Sequence, residues 1–319
     1  MKKVFLFLAT TLLLSACHPS GKPETDHPQI SHKDSVALHL ALMPTVDCLP
    51  FYYAKAQGIF DSLNVPVEIK SYMAQMDCDT AFCRKHADVA YTDLIRAALL
   101  QSKDTALYIF MQTDGSHELI TAFSKRIKSP KQLKEKMVGI ARHSVTDFLS
   151  TEIVQKAQIT PEELYKPQIN DISLRAAMVQ NATIDAAFLP DPYATQARLQ
   201  KNRSIYSTRK EGIHLMGMMV SRQALNDPQK AKWLSALVKG YNMAVQELKT
   251  KSKQHAACRL FTAFGIREQV LDSLQLPQYK KASVPDPQQI QKAIEWLKNQ
   301  NLIKTNYQGD TLVNSSLTK

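Results

Sequence analysis

Ile184-Asp-Ala-Ala-Phe-Leu-Pro-Asp-Pro-Tyr-Ala194 is an apolar run that stops in a Pro-Asp-Pro turn. Bounded in this way it reads as a buried strand with a rigid polar turn at its carboxyl end. Ninety-seven residues earlier, Asp88-Val-Ala-Tyr-Thr-Asp93 carries the same Asp-x-Ala-aromatic order and also ends on an aspartate. Each stretch follows a helical segment, and two lobes built on one strand plan would produce the echo.

Working outward, strand-like and helical stretches alternate, which predicts an α/β architecture with a mainly parallel sheet. Val36 to Met43, Val65 to Tyr72, Ala87 to Tyr91, Ala106 to Met111 and Glu118 to Phe123 read as strands. Between them Pro50 to Gln57, closed by Gly58, Asp79 to Lys85 and Leu94 to Leu100 read as helices. A second unit opens at Ser129-Pro130-Lys131-Gln132, with Ser as cap, Pro at the first helical position and Gln able to reach back. Val138 to Ala141, Ile184 to Leu189 and His214 to Val220 read as its strands. Ser144 to Lys156, with Ser144 and Asp147 spaced as a capping box, and Leu174 to Gln180 are predicted helices. Thr160-Pro-Glu-Glu163 is read as another helix start. After Asp227-Pro228 the chain reads as almost entirely helical, with Asp286 capping the last long helix through Trp296.

The chain has 319 residues, 44% hydrophobic and 22% charged, with 40 Lys+Arg against 29 Asp+Glu. That composition excludes intrinsic disorder, and the length suits two domains. The formal charge of +11 permits an anionic partner without naming it.

The first residues carry an export signal: Lys2 and Lys3, an eleven-residue apolar run from Val4 to Leu14, then Ser15-Ala16. As a helix that run spans only ~16 Å, too short for a bilayer core. Leu14-Ser15-Ala16-Cys17 resembles the lipobox of bacterial lipoproteins, in which the Cys is acylated. Residues 17–35, polar and rich in Pro, Ser and charge, read as a tether. The expectation is an exported body, anchored to a membrane through lipid on Cys17 and facing the periplasm, and export argues against nucleic acid as partner. Cys48, Cys78, Cys83 and Cys258 remain, compatible either with one disulfide or with four small thiols. No Cys-x-x-Cys and no helical His-x-x-x-His pair supports a metal site, and no cofactor is expected.

The order of motifs resembles the type II solute-binding proteins of ABC importers, in the sulfonate, nitrate, taurine and thiamine-precursor group. Pro50-Phe-Tyr-Tyr-Ala-Lys-Ala-Gln-Gly58-Ile-Phe60 is similar to that family's aromatic helix ending at Gly-x-Phe. Ile127-Lys-Ser-Pro-Lys-Gln-Leu-Lys-Glu-Lys-Met-Val-Gly139-Ile resembles its Ile-Lys-Ser-Pro … Val-Gly segment, and Ile184 to Ala194 its Val-Asp-Ala … Pro-Tyr strand end. Where the thiamine-precursor branch shows Trp-x-Pro-Asn, this chain reads Met43-Pro-Thr-Val-Asp-Cys-Leu-Pro50.

The resemblance implies a two-lobed Venus-flytrap fold with mixed, mostly parallel sheets and a helical C-terminal part. Residues 36–120 and 218–319 would form one lobe and 121–217 the other. It further implies an ABC permease and its ATPase as partners, a monomer, and no enzymatic activity. The alternatives are an exported sensor without an importer and an enzyme on the same fold. Cys48 beside Asp47, or His143 beside Ser144, would be the enzyme's nucleophile and base, but no motif for an activated nucleophile accompanies them.

Ligands of open α/β sheets sit beyond the carboxyl ends of strands. That rule selects Thr45, Cys48, Phe51, Tyr52, Asp77, Cys78, Tyr91, Asp93 and Asp114 from one lobe, and Arg142, Ser144, Thr146, Asp191 and Tyr193 from the other. Asp77, Asp93, Asp114 and Asp191 would make the cleft acidic, which favours a neutral or cationic ring over a sulfonate or nitrate. The basic charge is then outer surface: Lys125 to His143 holds seven Lys+Arg against one Glu.

Overall fold

The computed structural model describes residues 37–319; the export segment, Cys17 and the tether lie outside them. The chain first lays down β1 (Leu38–Leu42), α1 (Leu49–Ala56), α2 (Ile59–Ser62), β2 (Val67–Ser71), α3 (Gln75–Cys83), β3 (Val89–Asp93), α4 (Leu94–Gln101) and β4 (Leu107–Gln112). It continues through β5 (His117–Thr121), β6 (Lys136–Gly139), α5 (Val145–Ala157), β7 (Leu164–Tyr165), α6 (Ile172–Gln180), β8 (Ala186–Pro190), α7 (Tyr193–Leu199) and β9 (Arg203–Ser207). It ends with β10 (Met216–Ser221), α8 (Arg222–Asn226), α9 (Pro228–Glu247), α10 (Lys251–Cys258), α11 (Glu268–Ser273) and α12 (Pro287–Asn299).

Two five-stranded sheets result, ordered β2-β1-β3-β10-β4 and β7-β6-β8-β5-β9. In each the fourth strand, β10 or β5, runs antiparallel to both neighbours, and the other four point the same way. The chain passes from the first sheet to the second through residues 113–116 and returns through 208–215, so the fold is α/β and two-lobed.

The sequence echo occupies equivalent places, because β3 and β8 are the third strands of their sheets and every residue in both is buried. Asp88 Oδ2 accepts from His39 N at 3.1 Å on β1, and Asp185 Oδ2 from Met137 N at 2.8 Å on β6. Lys230 pairs with the first aspartate and Lys125 with the second. The pattern is thus a strand-pinning device in duplicate, satisfying a backbone donor at the start of the neighbouring strand.

Helices cover the sheets, and one close approach fixes their depth. A side chain at Gly240 in α9 would meet the buried Phe60 ring at 2.8 Å, so the glycine admits α2 against the α9 backbone. Asp227 starts α9 by accepting from Gln229 N and Lys230 N, with Pro228 at the first helical position.

The structure departs from the sequence reading in several elements. Thr160 to Glu163 makes a single 3-10 turn, not a helix, although Thr160 N does donate to Glu163 Oε2. Leu164 and Tyr165 pair at once with β6, and Pro167 bars helix from the residue before it. Ser129 to Leu133 is likewise only a 3-10 turn, in which Gln132 accepts from Lys128 N and Ser129 makes no cap. Helix α3 begins at Gln75, four residues ahead of expectation. The C-terminal part is interrupted at 274–286, where Pro277 and Pro285 exclude a continuous helix. Helices α2, α7 and α8 and strands β7 and β9 are additions of the structure to the sequence reading. The four described cysteines are all free thiols, with Cys83 exposed and Cys48, Cys78 and Cys258 buried.

Candidate functional site

The carboxyl ends of β1, β3, β6 and β8 converge on a cavity of about 30 Å³ between the two sheets. Thr45 and Tyr91 line it from the first lobe, and Ser144, Thr146, Arg175 and His117, the first residue of β5, from the second. A larger groove of about 790 Å³ lies between α9, α10 and residues 276–281, but no strand end reaches it.

Arg175 sets the character of the cavity. It sits on the inward face of α6 with Ile172, Ala176 and Val179, is 3% exposed, and its Nε and Nη1 have no hydrogen-bond partner among the described residues. Its stem passes over Gly139 at the end of β6, where a Cβ would come within 3.3 Å of Arg175 Cγ and 2.8 Å of Ile184. Burial draws the guanidinium down to about 10, so it remains charged at neutral pH. His117 is held neutral, its pKa pulled to about 3 by burial and then by the neighbouring Arg175 charge. Thr45 adds a buried hydroxyl beside the buried carboxyl of Asp47. A desolvated cation with unpaired donors costs several kcal/mol until an anion reaches it.

The other sequence-selected residues surround this cavity without lining it. Asp93 ends β3, with Oδ1 accepting from Arg96 N at 2.8 Å and Oδ2 from Val145 N at 3.0 Å across the cleft. Asp191, one residue ahead of the α7 cap, accepts from Thr195 N and Oγ1, while its carbonyl accepts from Val46 N at 3.1 Å. Tyr193 reaches Met73 Sδ at 3.9 Å. Asp114 accepts from Lys280 N. Phe51 belongs to the core, its ring 4.9 Å from that of Tyr241, and Cys48 and Cys78 are fully buried behind the strand ends. Tyr52 bonds Ser71 and meets Phe264 edge-on. Asp77 and Arg142 are exposed.

The expected acid-leaning cleft is therefore corrected. Among the described residues no carboxylate lines the cavity and Arg175 is its one charged side chain; Asp93, Asp114 and Asp191 are committed to backbone amides, and Asp77 is exposed. The signal was legible: an arginine at the i, i+3, i+4, i+7 apolar positions of a helix. At the Cys48 and Asp47 pair, burial raises both pKa values and Asp47 accepts from Thr113, so the thiol has no base to activate it. Ser144 donates to Ala141 O and accepts from Thr146 N, which commits it to starting α5; Asp147 accepts from His143 N, one residue short of the expected capping box.

A family model described as NMT1/THI5 like matches residues 45–248. The chain belongs to the NMT1/THI5-like family. Among solved structures, the periplasmic nitrate-binding protein NrtA from Synechocystis PCC 6803 superposes with a TM-score of 0.74 at 12% identity, over 89% of this chain and 87% of that one. The alkanesulfonate-binding protein SsuA from Xanthomonas axonopodis pv. citri, bound to MOPS, gives 0.72 at 15% identity, covering 88% and 96%. The ligand-binding component of an ABC-type import system from Staphylococcus aureus, with zinc bound, gives 0.72 at 15%, covering 88% and 97%. At these identities the shared property is the fold, that of periplasmic binding proteins. No curated protein matches the chain as a sequence relative.

Proposed function

We propose that this NMT1/THI5-like protein is the exported, lipid-anchored solute-binding component of an ABC importer. Its ligand is a small organic anion, taken between the lobe built on the first sheet and the lobe built on the second, and handed to a permease; because β5 and β10 lie whole in the second and first sheets, the lobes divide at residues 113–116 and 208–215 and not after residues 120 and 217. The observation that carries the reading is Arg175, a buried guanidinium with unpaired donors at the strand ends. An acid group entering the cavity supplies the charge-assisted bonds that the protein withholds. The nitrate and alkanesulfonate named for the structural neighbours are likewise small singly charged oxyanions. Calorimetric titration with taurine, nitrate, a pyrimidine thiamine precursor and riboflavin is the test. An anion should bind, and Arg175→Met should weaken it at least 100-fold. Tight binding of the pyrimidine, indifferent to Arg175→Met, would return the cleft to the cationic-ring reading.

A further inference from the structure

The start of α5 offers the cleft a second place for an anion, and the protein has filled it. Of the first amides of this 13-residue helix, Thr146 N is satisfied by Ser144 Oγ, and Asp147 N and Phe148 N by Ser144 O. Val145 N alone finds its acceptor in the other lobe, in Asp93 Oδ2. The same carboxylate holds the first turn of α4 through Oδ1, so one buried side chain caps a helix in each lobe. The favourable end of the α5 dipole is thereby neutralised from within the chain, whereas the Arg175 guanidinium in the same cavity is left without a partner.

We propose that Asp93 is a specificity-determining residue of the cleft, acting as an internal anion. It occupies the α5 terminus, confines the ligand's acid group to Arg175, and repels a second negative charge, so that the protein selects singly charged ligands over doubly charged ones. The proposal rests on the anion-binding reading of the cavity and deepens it. Because Val145 N has its acceptor only while the lobes are together, Asp93 also draws them together in the absence of ligand.

Asp93→Ser separates the roles, since serine can still cap α4 but presents no carboxylate to Val145. Sulfate, a dianion, and methanesulfonate, its singly charged analogue, are the calorimetric probes. Asp93→Ser should bind sulfate at least 10-fold more tightly than the unsubstituted protein, and the preference for methanesulfonate over sulfate should shrink by the same factor. In the ligand-free protein, spin labels on exposed residues of α3 and α7 should move apart in the variant. Asp93→Asn, which loses the charge but keeps one acceptor oxygen, should fall between the two and controls for a folding defect in the serine variant. Sulfate affinity and label separation both unchanged in Asp93→Ser and Asp93→Asn overturn the proposal. Anion binding indifferent to Arg175→Met, with the Asp93 effects intact, would instead fail the functional reading alone.

Discussion

At the residue scale the cavity depends on two groups that the fold holds in costly states. Gly139 gives Arg175 its path, and a methyl group there must displace Ile184 and the arginine stem together. Gly139→Ala should therefore destabilise the protein by about 1–3 kcal/mol, the usual penalty of overpacking, and weaken ligand binding as well; denaturant unfolding and calorimetry read the two effects. His117 gives a pH signature. Its folded pKa, about 3, lies below the ordinary 6.5, so between those values the unfolded chain holds the extra proton. Stability from this group is complete above pH 6.5 and falls as the pH drops toward 3, by at most about 1.4 kcal/mol per unit. His117→Gln should shrink the loss of Tm between pH 7 and pH 5; an identical loss in both proteins would contradict the assignment.

At the scale of elements, what was legible followed local chemistry. The strand echo was visible because Asp88 and Asp185 do the same work in both sheets, each accepting from a strand backbone N–H and pairing with a lysine. Asp88→Ala strips His39 N and Lys230 of their partner and should cost about 1–3 kcal/mol, and Asp185→Ala a similar amount, in chemical denaturation. A cap is legible where a helix is long enough to need it, as at Asp286. Caps mislead at Thr160 and Ser129, where good start signals precede only one turn because strand pairing takes the next residues. The site was half legible. Strand-end logic found Thr45, Tyr91, Ser144 and Thr146, but it counted aspartates as ligand groups when their oxygens were already committed to backbone amides. It passed over Arg175, because a residue inside a helix lies outside a rule about strand ends.

At the scale of the whole molecule, the proposed anchor and the proposed closure make separate demands. Lipid on Cys17 predicts that Cys17→Ala partitions to the soluble fraction while binding ligand as before; a variant that stays with the membrane would refute the anchor. Closure has a built-in reporter. Of the two tryptophans, Trp233 lies on α9, away from the second sheet, whereas Trp296 on α12 donates to Thr151 Oγ1 on α5 at 3.0 Å and meets the Phe148 ring edge-on at 6.1 Å. Helix α12 packs on α4 of the first lobe and α5 belongs to the second, so lobe opening breaks the indole hydrogen bond and wets the ring. Emission should therefore shift to the red on opening and to the blue when ligand closes the cleft. Trp296→Phe should abolish the ligand-dependent shift with calorimetric affinity within a few fold of the original, and Thr151→Val should diminish it. A shift that survives in Trp296→Phe would place the moving seam elsewhere than between α5 and α12.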